Sequence, residues 1–214
     1  MADEFVIWHR KLTLGNAVSS LEKNGFKSAW VETGAEAVQK ILGLIPPGAV
    51  VGIPGSSTLK EINILEALKK RGNKILHHGE PGLSEQEKRA IQRSAMTADV
   101  FLSGSNAITL DGKIVNIDGV GNRVSALSFG PQKTIVVAGI NKIVENTDDA
   151  LNRIKNIAAP INAKRYGLDT PCVKTGYCTD CDSPQRICNI INIISKKPKA
   201  SDFHVILVNQ ELGY

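Results

Sequence analysis

A chain of 214 residues with 42% hydrophobic content suits one α/β domain with a real core, and it contains no run of about 18 apolar residues that would cross a membrane. Its net charge of +5 is accompanied by only 5% aromatic residues and by no basic stripe interleaved with stacking rings, which argues against a nucleic-acid surface and for a small anionic metabolite as partner. The opening "MADEFVIWHRKLTL" mixes acids and bases where a secretory leader would carry a basic start and an apolar block, so a cytoplasmic chain with reduced thiols is expected.

In chain order, Leu14, Val18 and Leu21 stand at helical spacing and Asn24-Gly25 supplies a stop. "KSAWVE" reads as a strand. Thr33 and Glu36 form a capping-box pattern for a helix to about Leu44, ended by Pro46-Pro47-Gly48. "AVVGI" is a buried strand. A second box, Thr58 with Glu61, predicts a helix that Gly72 ends. "NKILHH" is a strand, and Ser84 with Glu87 opens the next helix. "DVFLSG" is a strand, and "AITLDGKIVNI" is a hairpin turning at Asp111-Gly112. "TIVVAGI" and "FHVILVN" are strong strands. A helix over roughly 147–164 and the cysteine segment separate them.

Strands alternating with helices predict an α/β fold: a mostly parallel sheet covered by helices on both faces, with one antiparallel element from the hairpin. The pattern divides into an α/β core over 1–164, a cysteine-rich loop segment over 165–195, and a C-terminal strand over 196–214 that returns to the core. Domains of this kind often pair, so a homodimer is a further expectation.

Two regions carry polar chemistry at strand ends. In "GIPGSST", Gly55 lets backbone approach a ligand, Ser56, Ser57 and Thr58 offer hydroxyls, and a helix start attracts anions. The plainer reading is an ordinary N-cap. In "LSGSNAITLDGKIVNIDGVGNRVSAL", Ser105 and Asn106 follow one strand, and Asp118, Gly121, Asn122 and Arg123 follow another. Arg123 could fork onto a carboxylate or phosphate, although Asp-Gly and Gly-Asn are also plain turn chemistry. His77 and His78 are adjacent on a strand, point to opposite faces, and are poorly placed to share a metal.

Every cysteine lies in "PCVKTGYCTDCDSPQRICN". Cys172, Cys178, Cys181 and Cys188 follow the spacing C-x5-C-x2-C-x6-C. The Cys178–Cys181 pair has the span of a short metal knuckle, and four thiolates suit either structural zinc or a [4Fe–4S] cluster; spacing does not choose. Disulfides or free thiols are the bland alternatives. Lys174 and Arg186 would offset thiolate charge. Residues 151–214 hold nine Lys/Arg against five Asp/Glu, so most of the excess charge travels with this segment.

Together, "IPPGAVVGIPGSSTLKEINILEAL", "ADVFLSGSNAITLDGKIVNIDGVGNRVSALSFGP", "IVVAGINKIV" and "CTDCDSPQRICN" resemble the LUD-domain family, named for lactate utilisation, over about Leu12 to Asn209. The short stand-alone members with a cysteine segment look most alike. The resemblance implies the fold of ribose-5-phosphate isomerases and CoA transferases, in which a glycine-serine loop binds anions. It also implies a place in lactate oxidation beside iron–sulfur partner subunits, and this favours a [4Fe–4S] cluster over zinc. The chain departs from the family pattern in carrying Pro54 where the resemblance implies glycine. Asp118 looks similar to the isomerases' base, but the next acid of that pattern is missing. Three functions follow. One is an accessory or ligand-binding component of lactate or organic-acid oxidation, with a small anion site and a cysteine-bound metal. Another is an independent isomerase- or CoA-transferase-like enzyme on a phosphorylated or CoA-linked substrate. The third is a non-enzymatic sensor or assembly module.

Overall fold

A computed structural model describes residues 3–214. The chain begins with α1 (Glu4–Lys23), β1 (Lys27–Val31), α2 (Gly34–Leu44) and β2 (Val50–Gly52), then two short helices, α3 (Ser57–Glu61) and α4 (Ile64–Lys70). It continues through β3 (Lys74–Leu76), α5 (Glu85–Ala95), β4 (Val100–Gly104), the hairpin β5 (Ala107–Thr109) and β6 (Ile114–Asp118), and α6 (Asn122–Phe129). After β7 (Lys133–Gly139), a 3₁₀ turn over Ile140–Lys142 leads into β8 (Ile143–Val144). The last part holds α7 (Thr147–Arg153), α8 (Ala159–Arg165), α9 (Pro171–Thr175), β9 (Ile190–Ile194) and β10 (Asp202–Val208).

Six strands form one sheet in the order β1-β10-β7-β4-β2-β3, with every pairing parallel. Alternate residues of its central strands feed two cores, as the two-residue period of a strand requires. Leu102, Ile135, Val137 and Ile206 face α2, α3 and α4 through Ile41, Leu59 and Leu68. Phe101, Val136, Ala138, Phe203 and Leu207 face α1 and α6 through Leu14, Leu21 and Leu127. Burial on both faces explains why these strands read as continuous apolar runs, and truncating any one of these leucines to alanine costs about 2–5 kcal/mol. The helix-on-both-faces architecture read from the sequence is the one found.

The remaining strands make a second sheet, β8-β5-β6-β9, in which β6 pairs antiparallel with both β5 and β9. Its Val115 and Ile117 pack on Ala150, Ile154 and Ala158. The Asp111-Gly112 turn is confirmed, with Gly112 at φ +81° against the backbone of Ser20. The cysteine segment is not all loop, since α9 and β9 lie inside 165–195.

Local chemistry decides the remaining boundaries. Ser84 and Glu87 form a complete capping box. The expected box at Thr58 and Glu61 does not form. Ser56 caps α3 by accepting from the Leu59 N–H, and the helix breaks at Asn63, which sits at φ +55°. Thr58 is buried inside α3, and its hydroxyl turns to the core of the site. Between α7 and α8 the helix widens to a π turn over Ile154–Ala158. Pro160 has no N–H to donate, and its ring crowds the carbonyl four residues earlier, which gives the widening a cause.

Candidate functional site

The loops after β2, β4, β7 and β10 meet at the carboxyl edge of the parallel sheet, where open α/β folds place ligands. They enclose a small cavity of about 100 Å³ lined by Gly55, Ser56, Ser57, Asn106, Arg123 and Lys142, with Arg165, Cys188 and Tyr214 at its margin. No Asp or Glu side chain among the described residues lines it. Two glycines permit the close packing. A Cβ on Gly104 would stand 2.7 Å from Ser56 Oγ, and one on Gly55 would stand 3.0 Å from Tyr166 Oη.

Arg123 is the buried centre of this region. Its guanidinium donates to Asn106 Oδ1 (2.9 Å), to the Ile117 carbonyl (2.7 Å) and to Asn116 Oδ1, and its Nε lies 3.5 Å from Asp118 Oδ2. Burial lowers its pKa, and the Asp118 charge opposes that shift. Most of its donors are therefore spent on the protein, so Arg123 fixes the wall more than it forks onto a ligand. Asp118 is equally committed. Its Oδ1 accepts from the Val120 N–H (3.1 Å) and the Gly121 N–H (2.9 Å), which holds the turn that starts α6. It faces a separate shallow depression with Asn122. Gly121, at φ +95°, shapes that turn. Ser105 donates inward to the Ala107 carbonyl (3.0 Å), and Asn106 Oδ1 also accepts from the Ile117 N–H (3.0 Å). Of the residues expected from the sequence, Gly55, Ser56, Ser57, Ser105, Asn106 and Arg123 come together around the cavity. Thr58 lies directly behind it, and Asp118, Gly121 and Asn122 lie across Arg123 from it.

Three cations went unread in the sequence. Lys142, 4% exposed, ends the 3₁₀ turn after β7 and donates to Thr58 Oγ1 (2.7 Å). Burial chiefly, with the charges of Arg153 and Arg123, brings its pKa down to about 7, against a smaller opposing pull from Glu61. Arg153 stands behind it, donating to the Asn106 carbonyl (2.7 Å) and the Asn141 carbonyl (2.9 Å), and burial lowers its pKa too. Arg165 leaves α8, stacks 4.6 Å above the Tyr166 ring, and donates to Ser57 Oγ (3.0 Å). The π turn lies between Arg153 and Arg165 and brings Ile154 and Ala158 against the cavity. The expected helix-start contribution at Ser56–Thr58 is small, because α3 is a five-residue helix whose Leu59 N–H is already satisfied. Side-chain cations supply the positive field instead.

The cysteine lobe borders the same cavity through Ile187 and Cys188. All four cysteines are free thiols of intermediate exposure. In the Cys178–Cys181 turn, Asp180 adopts φ +48° and its N–H donates to Cys178 Sγ (3.3 Å). Arg186 ties the lobe together by donating to the Cys181 carbonyl (2.6 Å), the Cys188 carbonyl (3.2 Å) and Asp180 (2.9 Å). Burial pushes the Cys188 thiol up; Arg186 opposes this, while Cys178, Cys181 and Cys172 add to it, so the four sulfurs share one electrostatic neighbourhood. Arg186 is thus placed as expected. Lys174 instead pairs with Asp169 (2.8 Å). Among the described residues, no three Cys, His, Asp or Glu side chains are gathered tightly enough to ligate an ion. The donor set fits a soft metal in its chemistry, and the segment must draw inward to close on one.

A second, larger cleft of about 730 Å³ adjoins the first and shares Gly55, Ser56 and Arg165 with it. His77 and His78 line it, with ring centroids 5.9 Å apart, and His77 Nδ1 is committed to the Ile53 carbonyl (3.0 Å). No helix among the described residues is long and apolar enough to cross a membrane.

A family model described as the LUD domain matches residues 14–208. A crystal structure of a DUF162 family protein from Deinococcus radiodurans is similar over 94% of this chain and 98% of its own, with a TM-score of 0.55 and 16% identity, which shows a common fold. Ribose 5-phosphate isomerase A from Neisseria gonorrhoeae aligns over 53% of each chain at 20% identity with a TM-score of 0.35. Comparison with curated protein sequences gave no match.

Proposed function

The chain belongs to the LUD-domain family, linked in general to lactate utilisation, and from that premise we propose that it binds a small organic-acid anion as a component of lactate or organic-acid oxidation. The observation that carries this reading is the charge of the cavity: Arg123, Lys142 and Arg165 line it, and no carboxylate side chain among the described residues does. Ser56 and Ser57 add hydroxyl donors at its wall. A volume of about 100 Å³ matches the liquid volume of roughly three waters, at about 30 Å³ each, which is the size of a short hydroxy or oxo acid.

In the same reading, Cys172, Cys178, Cys181 and Cys188 hold a thiolate-bound metal centre beside the cavity. A [4Fe–4S] cluster there would supply electron transfer; zinc would supply bracing. The family link favours iron–sulfur, and Arg186 offsets part of the thiolate charge.

Calorimetry with lactate, oxamate and phosphate tests the anion site. Arg165→Ala removes a charged hydrogen-bond donor from the mouth, so affinity should fall by about 1.5–3 kcal/mol, roughly ten- to a hundredfold in Kd. Equal affinity in the wild type and this variant would remove Arg165 from the site, and no binding to the wild type would remove the reading. A second reading, an enzyme on a phosphorylated or CoA-linked substrate, is favoured by the adjoining cleft, which could take the body of a longer molecule whose anionic end enters the cavity. Tighter binding of a CoA thioester than of oxamate would select it.

A further inference from the structure

We propose that Lys142 binds its ligand covalently, its ε-amine condensing with the carbonyl group of a small 2-oxo acid held in the cavity. This rests on the reading of the cavity as an organic-acid site and names the acid's reactive group. Three observations carry it. First, Lys142 is almost fully buried and lines the cavity, yet no carboxylate among the described residues lies within ion-pair distance of its Nζ. A buried lysine ordinarily needs such a partner to keep its charge. Its surroundings are instead two guanidiniums, Arg123 and Arg153, which disfavour a third positive charge. Glu61, the nearest counter-charge in effect, accepts the Gly213 N–H (2.7 Å).

Second, the hydrogen bonding of Thr58 fixes what Lys142 does with its protons. The Thr58 hydroxyl donates to the Leu212 carbonyl (3.3 Å), so it accepts from Lys142. That bond uses one N–H. A neutral amine keeps a second N–H and its lone pair, and the cavity is the open volume beside it. Third, the remaining donors suit the carboxylate of the same small molecule: Arg165 at the mouth, with Ser56 and Ser57 along the wall. Burial and the neighbouring guanidiniums hold the amine near half-deprotonation at neutral pH, the condition for a nucleophilic lysine.

The step balances without a co-reactant. The amine lone pair forms a C–N bond to the carbonyl carbon, and the carbonyl oxygen leaves as water with the two amine hydrogens. A C=N bond to Lys142 remains. No electrons are gained or lost. A 2-hydroxy acid, lacking the carbonyl, binds through its carboxylate alone. The site therefore retains an oxidised acid in preference to its reduced partner.

The test uses the full chain. The protein is incubated with pyruvate and cyanoborohydride, then digested and mapped by mass spectrometry. One reduced adduct is expected on the peptide holding Lys142, at several times the level on any other lysine, and its yield should rise about tenfold from pH 6 to pH 8. Lactate should give none, and excess oxamate should suppress the adduct. Lys142→Met should abolish it; the wild-type peptide map carries the same information if that variant folds poorly. Adducts spread evenly over surface lysines, or no adduct while calorimetry shows oxamate bound, would overturn the covalent proposal and leave the anion site standing. Absence of both would remove the anion reading and this proposal with it.

Discussion

The two ends of the parallel sheet handle charge in opposite ways. At the amino end, strand register brings Lys27 beside His204 and Asp202 beside Lys133. Asp202 then accepts from Lys27 at 2.7 Å and pairs with Lys133 at 3.3 Å and His204 at 3.0 Å. Burial alone would raise the Asp202 pKa, but hydrogen bonds from Lys27, His204 and Lys133 outweigh it and hold the carboxyl well below the usual range. At the carboxyl end, Lys142, Arg153 and Arg165 have neutral partners in their hydrogen bonds, and among the described residues only Arg123 of these four cations has a carboxylate within ion-pair distance. Compensated charge serves the fold itself. The surplus of one sign around the cavity is the observation on which the proposed anion site rests.

Four variants sharpen or break that contrast. The largest effect is expected at Arg123, the one cation of the carboxyl end that behaves like the amino end. Arg123→Ala removes one buried donor each from Asn106 Oδ1, Asn116 Oδ1 and the Ile117 carbonyl, and takes the counter-charge from Asp118, so unfolding in urea should show a loss of about 3–5 kcal/mol. A loss below 1 kcal/mol would mean that the wall does not depend on it.

Asp202→Asn comes next, at about 1–2 kcal/mol near neutral pH, since the side chain is one-third exposed and solvent trims the interaction. The sign with pH is fixed. The folded-state pKa is depressed, so the contribution is fully present above about pH 4, the ordinary carboxyl value, and is lost as pH falls through the folded pKa. Stability curves for wild type and variant should converge in acid; a constant gap down to low pH would contradict the pairing.

Lys142→Met should do the reverse. A lysine depressed to about 7 makes the unfolded chain bind more protons between roughly pH 7 and 10, so wild-type stability rises with pH there. The variant lacks this slope. Its melting temperature should exceed the wild type's by more at pH 6 than at pH 9.5, while anion binding falls. An equal difference at both pH values would place the amine in an ordinary environment.

The smallest effect on the apo fold is expected in the cysteine lobe. Serine at Cys178 and Cys181 should leave urea stability of the metal-free chain within about 0.5 kcal/mol, because these thiols are only half-buried. The same pair should abolish metal content after anaerobic purification. Iron with sulfide and broad visible absorbance would indicate a cluster; one zinc and no colour would indicate bracing. Neither metal in the wild type would end the metal reading.

The legible part of this molecule was local. Apolar runs such as "TIVVAGI", the Ser84–Glu87 box and the Asp-Gly turn each specify their element within a few residues. The second sheet was only half legible, because β8 is two residues long and the exposed apolar "IINII" of β9 sits beside the cysteines. The serine loop and the Asn106–Arg123 region were found by their polarity at strand ends. The deciding cations were not, because nothing local marks them. Lys142 follows a strand like any turn residue, and Arg153 reads as the polar face of a helix. Only assembly puts Lys142 on Thr58, 84 residues away in sequence. For Asp118 the reverse holds: the sequence shows an acid in an Asp-Gly-Val-Gly turn, and only the fold shows that its Oδ1 accepts from the Val120 and Gly121 N–H groups.

The central claim, that the carboxyl end of the sheet is an anion site and the amino end is not, is tested most directly by diffraction from crystals soaked in selenate. Anomalous scattering locates this anion without ambiguity. A peak is expected in the cavity between Ser56, Ser57, Lys142 and Arg165, and none beside Lys27, Lys133 and Asp202. A peak at the amino end, with the cavity filled by its own side chains, would contradict it.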